Sequence, residues 1–179
     1  MTELLVQIIG LAGVAVFILS YQIKSNKALY FMQLLGSGLF CVQFIMLDAI
    51  SGCLSLMALI ARNALLMKYN DWKWVQHPIW IGVFEIIYLI ILALTWNGWL
   101  SLLPWAAMAF GTFGYWTNNA QKIRFANLVC VAPCWLLYDA LVGSWAGVLN
   151  EGITLASILV SIYRYGWKAM GDPDSDFQK

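Results

Sequence analysis

Three charged side chains sit inside otherwise apolar stretches of this sequence: Arg62, Glu85 and Glu151. An ionisable group in a spanning helix costs roughly 2.5–3.5 kcal/mol on insertion scales, so it is retained where something offsets that cost. Arg62 comes seven residues before the end of the apolar stretch 50–69, and Glu85 seven residues after the start of the stretch 78–96. At 1.5 Å per helical residue both lie about 10 Å inside the same boundary. Three readings fit Arg62. It forms an ion pair with Glu85 as a structural staple, it faces a cavity and binds an anionic group, or it snorkels to the membrane surface.

Glu151 lies about 9 Å inside the stretch 145–165 by the same rise. Asn150, Thr154, Ser157 and Ser161 accompany it, the last three on one helical stripe. Ser51, Ser55 and Arg62 make a comparable stripe on 50–69. Hydroxyl stripes also serve plain helix packing. Glu151 beside Asn150 asks for more, and is expected to face a cavity and to exchange protons if transport is coupled to a gradient. Asn63 is a further cavity candidate. Trp105 follows Pro104 and Trp135 lies just beyond Pro133. A proline frees a carbonyl and bends a helix, so Pro104 and Pro133 are candidate hinges and the two indoles candidate walls for a ring substrate, with core packing as the alternative. Gln7, Gln33, Gln43 and Asn127 are neutral polar groups that line a path or bridge helices.

Other chemistries are excluded or weak. The single histidine, His77, lies in a polar loop, and the cysteines Cys41, Cys53, Cys130 and Cys134 read as packing residues. No histidine–cysteine metal spacing, paired-histidine haem site, HExxH or P-loop is present, so no metal or other cofactor is expected. Any transport would then be driven by gradients. An intramembrane enzyme is the least favoured class.

The elements that position these residues follow from composition. Of 179 residues, 62% are hydrophobic and 11% charged, with a mean hydropathy of +0.76. An ordinary soluble domain carries about 25% charged residues. A soluble chain of this size leaves roughly a third of its unfolded surface wet, which this composition does not allow. Lipid is the expected solvent, and soluble enzymes, nucleic-acid binders and secreted disulfide scaffolds are excluded. Hydropathy breaks the chain into seven helical spans, 4–22, 28–47, 50–69, 78–96, 98–116, 123–142 and 145–165. The runs are too long and too continuous for a β-barrel. The first is read as a spanning helix, since Glu3 stands where a signal peptide needs basic residues. Asp48 with Gly52, and Asp139 with Gly143, supply the chemistry of the two shortest turns.

Lys24, Lys27, Lys68, Lys73, Lys122, Arg124, Arg164, Lys168 and Lys179 all fall on one side of such a seven-span plan. That places the N-terminus outside and the C-terminus in the cytoplasm. Trp72, Trp74, Trp80, Trp116 and Trp167 near one face, and Trp96, Trp99 and Trp145 near the other, read as an aromatic belt.

An internal repeat organises the spans. FIMLDAISGC (44–53) matches WLLYDALVGS (135–144) at Asp48/Asp139, Ala49/Ala140 and Gly52/Gly143, and SYQIKSNKAL (20–29) aligns loosely with GYWTNNAQKI (114–123). Two three-helix units, 1–69 and 98–166, run the same way because the linker region 70–97 crosses once between them, leaving a polar tail at 167–179. This 3+1+3 plan is a parallel repeat, with any site expected between the halves near the midplane.

Over essentially residues 1–170 the chain resembles the YgjV-like family of bacterial inner-membrane proteins, which implies a multi-pass protein of that membrane. At fold level the plan is similar to SWEET, PQ-loop and PnuC-type transporters. Gln22, Lys24 and Ser25 in SYQIKSNKAL resemble a PQ-loop motif, with Tyr21 in place of its proline. Pro104 and Pro133 match two of the four hinge prolines of SWEET-like proteins, and Gly10, Gly13, Gly36 and Gly38 supply flexibility where the others are missing. The asparagines that line the SWEET site have Asn63 and Asn150 as counterparts, at unequal depth. The resemblance implies a gradient-driven carrier of a small polar or aromatic metabolite. The other reading is a non-transporting structural or interaction protein of the inner membrane. Neither implies a nucleic-acid partner, and the oligomeric state is open.

Overall fold

The computed structural model describes residues 2–20 and 26–168. Tyr21, Gln22, Lys24 and Ser25, and the tail from 169, lie outside the described residues. Seven helical rods make up the described chain, with no strand among the described residues. They are α1 (Thr2–Ser20), α2 (Asn26–Met46), α3 (Ile50–Leu66), α4 (Ile79–Leu94), α5 (Leu102–Trp116), α6 and α7 (Trp145–Tyr165). A short 3-10 turn, Trp99–Ser101, leads into α5. Rod α6 has three continuous pieces: Ala120–Ala126, a π-helical segment Asn127–Val131, and Ala132–Val142.

The ends are set by local chemistry. Asn119 caps α6 by accepting from the backbone N–H groups of Gln121 and Lys122, and Ser144 caps α7 by accepting from Gly147. Gly143 ends α6 in the left-handed conformation (φ 79°), where a side chain is strained. Asp48 takes a similar backbone conformation, φ 54°, in the turn between α2 and α3.

Pro104 is the third residue of α5, in a first turn whose N–H groups have no helical partner to lose. It starts the helix and does not hinge it, which corrects that expectation. Pro133 is different. It follows the π segment, in which the Ala132 N–H reaches back to the Asn127 carbonyl, and such an extra residue per turn accommodates a proline inside a long rod.

Helix packing closes a ring. α1 packs on α2 and α2 on α3; α3 packs on α5, α5 on α6, α6 on α7, and α7 returns to α1. α4 packs on α3 and α5, on the outside of the ring. The polarity is inverted relative to a water-soluble bundle. Ser37, Gln43, Arg62, Asn63, Thr112 and Asp139 are buried, while large apolar side chains on every helix are exposed, from Leu4 on α1 to Leu94 on α4 and Val160 on α7. An apolar exterior of this extent is the mark of a membrane-facing surface. Two rods, Gln121–Val142 and Trp145–Arg164, are long and apolar enough to cross a membrane by length and composition, and four further apolar helices are shorter, at 10–17 residues.

Two expectations are corrected here. Trp116 is not part of an aromatic belt: it is buried, and its indole N–H donates to the Val75 carbonyl at 3.1 Å, pinning the segment between α3 and α4. The sequence match 44–53/135–144 does not pair equivalent places. Asp48 and Ala49 lie in a turn, whereas Asp139 and Ala140 lie inside α6; Gly52 lies inside α3, whereas Gly143 ends α6. The matched letters sit three or more residues out of structural step.

Candidate functional site

A cavity of about 110 Å³ runs down the middle of the ring. Its walls come from α1, α2, α3, α5, α6 and α7, and no residue of α4 reaches it. Of the sequence candidates, Arg62, Asn63, Trp135, Asn150, Glu151 and Thr154 line it together. Trp105 does not: it is half-buried away from the cavity, with its indole N–H buried and unpartnered among the described residues. The indole wall is therefore Trp135 alone.

Arg62 is 2% exposed, which removes the snorkelling reading. It also makes no ion pair with Glu85, contrary to the staple expectation. Its Nη1 donates to Thr112 Oγ1 at 3.1 Å, its Nε and Nη2 reach Asn63 Oδ1 at 3.4 Å, and its guanidinium lies 4.6 Å from the Tyr115 ring centroid. All these partners are neutral. The Thr112 hydroxyl has one hydrogen, given to the Met108 carbonyl at 2.8 Å, so its oxygen accepts from both Arg62 and Tyr88 Oη. Tyr88 is thus the α4 residue joined to Arg62 by hydrogen bonds, through Thr112, while the Glu85 carboxyl interacts with Arg62 only through space. Glu85 is half-buried, and its Oε1 has no partner among the described residues.

The other end of the cavity is acidic. Glu151 accepts from Asn150 Nδ2 at 3.0 Å. Facing it from α6 is Asp139, 3% exposed, with Oδ1 unpartnered among the described residues and close enough to Glu151 for the charges to interact. Asp139 was expected to be a turn residue. The helix ends at Val142, where the span 123–142 put it, so Asp139 lies in its last turn and its side chain lines the cavity instead of serving the turn. Its signal was available: it is an ionisable residue within the span 123–142, the same criterion that singled out Glu151. Gly147 on α7 lies against the Asp139 carboxyl, and only a residue without a side chain leaves room for it.

The two hydroxyl stripes do not face each other across the cavity. Thr154 lines the cavity, but Ser157 is exposed; Ser51 bonds Tyr138 Oη at 3.0 Å, outside it. Ser37, which sequence reasoning passed over, lines the cavity with its Oγ buried and unpartnered among the described residues. Gln33 and Asn127 line it too. Gln7 and Gln43 instead bridge helices: Gln7 donates to the Gly143 carbonyl at 3.0 Å, and Ser144 donates to Gln43 Oε1 at 3.1 Å. The cysteines are free thiols in packed positions.

Phe44, Trp135 and Tyr138 form one aromatic cluster, with ring centroids 5.7–6.0 Å apart. Phe44 and Trp135 line the central cavity. Tyr138 lines a second, wider depression of about 490 Å³ between the 47–51 and 94–100 turns.

Buried charges around a central cavity, inside an apolar exterior, describe a membrane protein with a polar interior. A family model of a bacterial inner membrane protein, Imp-YgjV, matches residues 4–169. The chain belongs to the YgjV family. This YgjV-family protein is accordingly a protein of the bacterial inner membrane. Comparison with curated proteins and with solved structures gives no match.

Proposed function

We propose that this YgjV-family protein is a multi-pass, gradient-driven carrier or facilitator of a small metabolite, with the central cavity as its binding site. The observation that carries this reading is the lining of that cavity. Six helices converge on it, and it holds an arginine at one end and two carboxyls at the other. Buried ionisable groups facing an internal cavity are how membrane proteins build substrate and ion paths. Its modest volume suits a small solute better than a drug-sized one.

The arrangement is two three-helix units, α1–α3 and α5–α7, with α4 as an external linker, N-terminus outside and C-terminus in the cytoplasm. The exclusion of α4 from the cavity supports the 3+1+3 plan, and the one-sided distribution of lysines and arginines supports the orientation. The π segment before Pro133 supports α6 as the element that flexes, and the aromatic cluster is placed to separate the cavity from the depression beyond it. The reading takes the protein as no enzyme and needs no cofactor.

The test is thermal unfolding of the purified protein in detergent against sugars, nucleosides, amino acids and vitamin-like rings, with Glu151→Gln alongside. A ligand at a hundred times its Kd adds about 2.7 kcal/mol to the native state. A selective shift that weakens in Glu151→Gln is expected. No shift for any class, with folded protein, overturns the carrier and favours a structural role.

A further inference from the structure

The two ends of the cavity are chemically opposite, and their spacing names a ligand class. At one end the Arg62 guanidinium is buried among neutral partners, Asn63, Thr112 and Tyr115. The Glu85 carboxyl on α4 acts on it only through space and from outside the cavity, so its cavity-facing donors are left for another acceptor, and a guanidinium offers a donor fork matched to a carboxylate. At the other end Asp139 and Glu151 share a wall. Asp139 is nine-tenths buried or more, with Oδ1 unpartnered among the described residues, and no cationic side chain lines that end.

The separation follows from α6. A methyl added at Gly111 would touch both Val131 and Arg62 Nη1, at 3.1 and 3.5 Å, so Arg62 Nη1 lies near the Val131 side chain, which marks its place along the rod. Asp139 is eight residues further along the same rod, about 12 Å at helical rise. A charge-assisted hydrogen bond of about 3 Å at each end leaves ~6 Å between the ligand's own charged groups. Between the two levels the wall is Trp135 stacked on Phe44, an apolar surface.

We infer that the cavity binds a small dipolar metabolite, an ammonium at Asp139 and Glu151 and a carboxylate at Arg62, with a short apolar middle against Trp135. This rests on the carrier reading and narrows it to ω-amino acids and compounds of similar charge spacing. α-Amino acids, with adjacent charges, bridge the two ends poorly. Sugars and nucleosides leave both ends unpaired.

The test is a binding ladder on the wild-type protein in detergent, read by calorimetry. Its members are glycine, 3-aminopropanoate, 4-aminobutanoate, 5-aminopentanoate and 6-aminohexanoate, with butylamine and butanoate as single-charge controls. Affinity is expected to peak at the four- or five-carbon member, at least tenfold above glycine and above either control. Arg62→Gln should flatten the ladder to the affinity of butylamine, and Asp139→Asn to that of butanoate. The wild-type ladder stands without the variants if either fails to fold. A flat ladder, or none of its members binding, overturns the inference. If a sugar or nucleoside then binds and exchanges across proteoliposomes, the carrier reading survives without it; if no class binds or exchanges, both fall.

Discussion

The Asp139 carboxyl packs directly on the backbone of Gly147, in the space that a β-carbon there would occupy. One carboxyl-bearing helix is thereby held against its neighbour by the absence of a side chain. Gly147→Ala must displace Asp139 or part α6 from α7, at about 1–3 kcal/mol. Gly152, on the same helix, has open space around its β-position. Gly147→Ala is expected to lower the unfolding midpoint in detergent and Gly152→Ala to leave it unchanged or slightly raised. Equal effects would remove the close approach.

Arg62 is coupled to Thr112 and not paired to Glu85, so two double-mutant cycles should differ. Arg62→Gln with Thr112→Val shares one hydrogen bond, and its interaction energy should be at least about 0.5 kcal/mol. Arg62→Gln with Glu85→Gln should show the smaller interaction energy of the two. Chemical unfolding of the wild type, the three single and the two double variants measures both; the reverse order would restore the ion pair.

Tyr138 joins α6 to the start of α3. Its Oη accepts from the Gly52 N–H at 2.9 Å and bonds Ser51 Oγ at 3.0 Å. The Gly52 N–H is one of the first-turn donors that no helical carbonyl serves. Tyr138→Phe leaves that buried donor unpaired and should cost about 1–3 kcal/mol. Retention of full stability would show that the hydroxyl contributes nothing to the junction.

Trp116 pins the segment between α3 and α4 through Val75, which is fully buried. Lys68 and Lys73 both lie in this segment just before Val75 and are trypsin sites. Trp116→Phe keeps an aromatic ring against Phe84 but removes the indole donor. Limited trypsin digestion should then cut at Lys68 or Lys73 severalfold faster than in the wild type. An unchanged rate would mean that ring packing alone holds the segment.

How much of this was legible in advance differs by element. The seven rods were, with α3 to α7 starting and ending within a few residues of the hydropathy breaks, because apolar run length is a local property. Arg62, Asn63, Asn150, Glu151, Thr154 and Trp135 were all singled out and all line the cavity. Asp139 was read as turn chemistry together with Gly143, although it lies within the span 123–142 and inside the helix. Trp105 was matched to Trp135 because both follow prolines, yet Pro104 opens α5 and Pro133 lies within α6, so the two indoles hang from unlike places.

The sequence by itself determined that the chain is helical and apolar on the outside, where its helices break, and which rare charges lie inside them. Each of these depends only on composition and on residues within a few turns. Only the tertiary structure decided which way each charge faces. Rotation of α3 turned Arg62 toward Thr112 and Tyr115; the close contact at Gly147 brought Asp139 to Glu151; and packing of α4 outside the ring kept Glu85 out of the cavity. Helix rotation and neighbour choice are fixed by interdigitating side chains from distant parts of the chain, which no local window contains.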